Sequence, residues 1–247
     1  MPTVAEVAAF QHLLSRLTTG AVRAVERMLG ITPPEHVPDA YPAIVDPYLA
    51  ASAQVSAHWY HSLGGTIPFA AQPGPLPPPE QLSQNAHYAL STGNPFGALS
   101  MATDRHVFQT SGATIVHNAD REHVGYARYA SATACSFCRV LATRTKLYTS
   151  EAAATHVVGR AGRTRGPRKI GDLYHDNCHC VAVPIRPGDD YQPPDYVKGW
   201  QDDYENAMRD DDVHSFDEIV NHMRRTEYAR AHEPAEPESV FAGLHQN

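Results

Sequence analysis

His175-Asp176-Asn177-Cys178-His179-Cys180-Val181-Ala182-Val183-Pro184-Ile185 is the stretch on which the fold reading turns. Its first half offers metal-ligating side chains at close spacing. Its second half is a short apolar run, rich in β-branched residues and ended by a proline, which reads as a strand. Side chains two apart on an extended segment share a face, so Cys178 and Cys180 point one way and His179 the other. A second segment, Val124-Gly125-Tyr126-Ala127-Arg128-Tyr129, shortens toward the same alternation and is a partner with which the run could pair around the cysteines.

The chain on either side is patterned as helix. Thr3 followed by Glu6 is a capping box, and Val7, Phe10, Leu14, Leu17, Ala21, Val25 and Met28 recur at threes and fours up to Gly30. Asp46-Pro47 offers an N-cap and first helical position for a second helix carrying Tyr48, Val55, Trp59 and Leu63, stopped by Gly64-Gly65. Six prolines between residues 64 and 79 predict an extended linker or surface strap. Helical patterning resumes at about 80–91 and 95–118, on either side of the turn Gly93-Asn94-Pro95. Further helices are expected near 194–209 and 215–231, the latter opened by Ser215 and Glu218. The expected class is therefore α+β: a helical arm (1–63), a linker (64–79), a helical segment (80–118), a small β-containing, metal-clipped module (119–186) and an acidic helical tail (187–247).

Residues 187–247 hold 15 acidic and 5 basic side chains, leaving 12 acidic and 15 basic ones in the rest of the 247-residue chain. A net charge of -7 argues against a nucleic-acid binder that relies on overall charge. The concentrated positive stretch is Arg160, Arg163, Arg165, Arg168 and Lys169, set among glycines, which could contact DNA phosphates or an acidic partner or remain a solvated loop. The charged N-terminal stretch lacks a secretory signal pattern, and no apolar run is long enough to span a membrane. A chain made in a reducing cytosol is expected to use its cysteines as metal ligands before disulfides.

All four cysteines lie between residues 135 and 180. Cys135-Ser136-Phe137-Cys138 has the spacing that turns two thiolates toward one ion, and His175, Cys178 and Cys180 supply the other half after a gap of 36 residues. Five candidates compete for four tetrahedral positions around zinc, with His175 and Cys178 contesting the last. Ordinary buried thiols and disulfides are the bland alternatives. A catalytic alternative uses Cys138 or Cys178 as nucleophile, His175 as base and Asp176 as its orienter. The remaining histidines, among them His58, His61, His87, His106, His117 and His123, form no second cluster, and solvated or capping roles are expected for them. Tyr48, Trp59 and Tyr60 read as core and interface anchors.

Tyr48 and Trp59-Tyr60 in a helical region, then Cys135-x-x-Cys138, Tyr148-x-Ser150-Glu151 and Tyr174-His175-Asp176-x-Cys178-His179-Cys180, form a pattern that resembles the Mu F-like minor head proteins of tailed bacteriophages. It is similar in particular to the actinobacterial phage type, often labelled capsid maturation protease. The resemblance covers about residues 4–186, and the cysteine and histidine spacing is its specific part. In that family the position matching His179 is often arginine, which also sets His179 aside as a ligand. The resemblance implies a low-copy protein of the phage head, assembled in the host cytoplasm and placed at the portal vertex or capsid interior. It would act in head assembly and in DNA packaging or delivery, with the portal protein and the major capsid or scaffold protein as partners. The alternative it carries is a cysteine hydrolase that processes capsid or scaffold protein.

Overall fold

The computed structural model describes residues 2–64, 67, 69–143, 179–189 and 192–232. Among them the chain is mostly helical, with one two-stranded antiparallel sheet, so the protein is α+β. The first helix, α1, runs Val4–Ile31, and both hydrogen bonds of its Thr3/Glu6 capping box are present. It buries Val7, Phe10, Leu14, Thr18, Ala21, Val25 and Met28, a stripe spaced for one helix face.

The second helix, α2, spans Val37–Ser62 and starts ten residues before Pro47, the first helical position expected. Pro42 and Pro47 lie inside it. An interior proline removes one ladder hydrogen bond and costs about 3 kcal/mol in an isolated helix. Here the cost is offset by packing: Val37, Tyr41, Val45, Leu49, Ala53, Ala57 and Tyr60 form an unbroken buried stripe. The Tyr41 hydroxyl, pushed up to about 12 by burial, lies 3.0 Å from Thr103 Oγ1. Tyr48 closes on α1 at Gly20, where an added Cβ would stand 3.0 Å from its ring.

Helix α3, Pro79–Leu90, leads to α4, Pro95–Glu122, which is capped at its start by Asn94 accepting from the Gly97 amide. Packed by α1, α2, α3 and the sheet, α4 is buried on most of its circumference. Several of its buried polar side chains are accordingly bonded inward. The Ser111 hydroxyl meets Ser56, Asn118 donates to the Gln72 carbonyl, and Thr114 Oγ1 accepts from the Gly74 amide. The last two bonds hold the proline-rich segment against α4 as the expected strap. His123 ends the helix in the left-handed region at φ 58°, a capping role as expected.

Strand β1, Gly125–Tyr129, pairs antiparallel with β2, Val181–Ile185, in the register Gly125↔Ile185 to Tyr129↔Val181. Pro184 lies within β2 rather than ending it, which a two-stranded sheet permits because each strand has a free edge. Val181 and Val183 belong to one core cluster and Ala182 to another, so the sheet is covered on both faces. Between the strands lies α5, Ser136–Thr143, and beyond β2 come α6, Tyr196–Arg209, and α7, Phe216–Ala231. Helices α6 and α7 share a core cluster with α5, both strands and the first half of α1. Arg139 of α5 is the polar link: it donates to Glu227 of α7 at 2.6 Å and its guanidinium sits 5.2 Å from the Trp200 ring of α6.

Candidate metal centre

The local sequence explains where the described cysteines fall. After Tyr129 the chain leaves β1, turns through Ser131–Ala134, and Cys135 becomes the residue whose carbonyl accepts the first helical bond of α5, from the Arg139 amide at 3.0 Å. Cys138 therefore sits one turn into α5 on its buried face. Across the sheet, Cys180 directly precedes Val181, the residue paired with Tyr129. All three thiols thus belong to segments that meet at one end of the two-stranded sheet. Cys138 and Cys180 are each 2 % exposed and share a core cluster, whereas Cys135 is exposed. Cys135 opens on a cleft of about 580 Å³ between α5 and α7, bordered by Phe137, Asp217, Arg224 and Glu227.

His175, Asp176 and Cys178 lie outside the described residues, as do Arg160, Arg163, Arg165, Arg168 and Lys169. Among the described residues no group of three or more His, Cys, Asp or Glu side chains is gathered as a metal shell. The described thiols are soft donors of the kind zinc takes, carried by two chain segments 36 residues apart in sequence.

His179 has a clear place, and it faces the helices. Its Nε2–H donates to Asp104 of α4, 2.9 Å from each carboxylate oxygen. Its ring lies 4.7 Å from that of Phe108, one helical turn further along α4. Its carbonyl accepts from Gln11 Nε2 of α1 at 2.5 Å. The histidine ring is 48 % exposed and the carboxylate of Asp104 only 10 %. Sequence reasoning did not find Asp104, Gln11 or Phe108, because nothing local marks a helical residue that will face a segment some 75 positions or more away.

A second polar junction ties the other end of the sheet down. Arg186, just beyond β2, donates through Nε to Glu122 Oε1 at 2.6 Å and lies 5.3 Å from the Tyr60 ring centroid. The Tyr60 hydroxyl donates to the same carboxylate, and burial followed by that carboxylate holds the phenol protonated far above its ordinary range. Tyr60 is thus a core anchor, as expected. Trp59 is partly buried and stacks on Phe10 with ring centroids 4.2 Å apart. Around that stack an apolar groove of about 830 Å³ opens between the start of α1 and the end of α2, with Leu13, Val55, His58 and Leu63 on its walls. His106 departs from the solvated role expected of it: it is fully buried in α4, with Nε2 2.7 Å from Asn85 Nδ2.

A helical body packed on a small two-stranded sheet, with cysteines in the segments beside it, defines the class of fold. The chain belongs to the VG15 protein family, whose model matches residues 1–207 and so takes in the helical body, both strands and most of α6. No curated protein and no solved structure matches it. No helix among the described residues is long and apolar enough to cross a membrane.

Proposed function

We propose that the protein is a minor head component of a tailed bacteriophage, placed at the portal vertex or capsid interior, in which a structural zinc ion fixes the cysteine module. Cys135, Cys138 and Cys180 hold the ion, with His175 or Cys178 completing the shell. When bound, zinc supplies a cross-link between the α5 segment and the start of β2, and structural sites of this kind contribute on the order of 10 kcal/mol to folding.

The observation that carries the structural reading is the burial of Cys138 and Cys180 in the core cluster that also contains Phe10 and Leu14 of α1. A nucleophile must reach its substrate, and a thiol 2 % exposed does not. That burial supports a staple over a hydrolase that uses Cys138 as its nucleophile. The assignment to a phage head rests on the resemblance of the cysteine and histidine spacing to Mu F-like proteins.

Elemental analysis of protein purified without added metal is expected to give about one zinc per chain. A trace amount with every thiol open to alkylation would overturn the zinc claim. For the head assignment, full-length protein is expected to retain the portal protein in a pull-down. Leu13→Asp, at a side chain 40 % exposed on α1, is expected to reduce that retention several-fold without unfolding the chain. Absence of any retention by the wild-type protein would remove the portal from the proposal.

A further inference from the structure

We infer that the outer face of α1 is a contact surface for the phosphate backbone of double-stranded DNA, made by Arg16, Arg23 and Arg27. The inference is independent of the zinc ion and of the portal contact. At 3.6 residues per turn the three arginines start within about 40° of one another around the helix, on the side away from the buried stripe of Val7 to Met28. All three are exposed. Elsewhere the fold gives its cations partners: Arg139 pairs with Glu227, Arg186 with Glu122, Arg209 with Glu205 and Arg230 with Asp203. On α1 it does not. Among the described residues none forms an ion pair or side-chain hydrogen bond with Arg16, Arg23 or Arg27. Of the two carboxylates on the helix, Glu6 is taken up by the Thr3 cap, and Glu26 stands exposed without an ion pair.

The composition of the face selects a phosphate backbone over an acidic protein. A protein interface is centred on apolar or aromatic anchors with its charges at the rim. The exposed large apolar side chains of α1 are Val4, Leu13 and Ile31, and none of them falls between Arg16 and Arg27. The interval between Arg16 and Arg23 is bridged on this side by Thr19 and Gly20, which are small enough for a sugar-phosphate strand to lie close. Spacing agrees: at 1.5 Å rise per residue the arginines stand about 10.5 Å and about 6 Å apart along the axis, close to three and two phosphate steps of about 3.4 Å on one strand. Arginine is also the cation whose planar fork fits a phosphate with two hydrogen bonds. Residues 12–27 hold three arginines against one glutamate in a chain of net charge -7, so the attraction belongs to this face and not to the molecule as a whole.

The test is fluorescence anisotropy of a labelled, mixed-sequence DNA duplex titrated with the full chain at salt concentrations from about 50 to about 200 mM. Three phosphate contacts give a slope of about -2.7 in log K against log salt, an affinity loss of about 40-fold over that range. Arg23→Gln is expected to flatten the slope by about 0.9, and the triple variant Arg16→Gln, Arg23→Gln, Arg27→Gln to abolish the salt-sensitive binding. Because all three side chains are exposed, the circular dichroism spectrum and urea midpoint of the triple variant are expected to match wild type. Replacing the same three residues by lysine keeps the charge and is expected to keep the slope. Arg209→Gln, at a side chain paired with Glu205, is expected to leave binding unchanged. A wild-type slope in the triple glutamine variant, as binding through Arg160 to Lys169 would give, overturns the inference. So does a wild-type protein that binds no duplex at the lowest salt. Displacement of the duplex by poly-glutamate at equal charge concentration overturns it as well, by making an acidic protein the partner of this face. None of these outcomes bears on the zinc or portal readings, which their own measurements decide.

Discussion

His106 is a neutral histidine held where a proton is poorly tolerated. It is fully buried, Asn85 faces its Nε2, and its Nδ1 has no partner. Burial first, and the positive charge of Arg105 second, lower its pKa from 6.5 to about 3. As pH falls from about 6.5 toward 3, the unfolded chain takes up a proton at this position that the native chain refuses. Stability is therefore lost across that window, with a slope from this group of up to about 1.4 kcal/mol per pH unit. Urea titrations between pH 7 and pH 4 are expected to show a steeper decline for wild type than for His106→Gln, and parallel profiles would mean that native His106 does accept the proton. Asp104, two residues earlier in α4, is likewise a buried polar side chain whose partner, His179, comes from a distant segment. Neither residue carries a local mark in the sequence, because a buried polar side chain is explained by its partner, and both partners come from other elements.

At the scale of elements, local chemistry was legible where it acts locally. The Thr3/Glu6 box, the Asn94 cap and the Ser215 cap all lie where the sequence places helix starts, because a cap is a contact three residues long. The start of α2 was not legible. Asp46-Pro47 reads as a helix start, and only the buried stripe from Val37 to Tyr60 carries the helix through Pro42 and Pro47. Helix α5 was missed for a related reason: it is eight residues long and its pattern is masked by the cysteine spacing read for metal. The strap over α4 depends on close approach at Gly74, where an added Cβ would lie 2.8 Å from Thr114 Cα and 2.9 Å from its amide nitrogen. Gly74→Ala is expected to lift the strap, lose the 3.0 Å bond to Thr114 and cost about 1–3 kcal/mol in urea unfolding. Gly93→Ala, which meets nothing within 4 Å, is the matched control and is expected to change stability by less than about 0.5 kcal/mol.

At the scale of the whole molecule, the sequence by itself determined the α+β class, the capped helices, the two strand segments and the one concentration of thiols, because each follows from periodicity, turn chemistry or spacing within a few residues. Tertiary structure decided what those parts do to one another. The register Tyr129↔Val181 brings Cys180 to the end of the sheet from which the chain leads on to Cys135. Helices α6 and α7, which composition sets apart as part of an acidic tail, pack on α5 through Trp200, Phe216 and Ile219, since a charged outer face does not prevent an apolar inner one. The reversal is greatest at His179. Sequence alternation correctly turned it away from the cysteines and so dismissed it, yet it is the residue that Asp104, Phe108 and Gln11 converge upon. Periodicity tells which way a side chain points. What stands there to receive it depends on packing across residues far apart in the chain, and here that packing is the grip of α1 and α4 on the segment leading into β2.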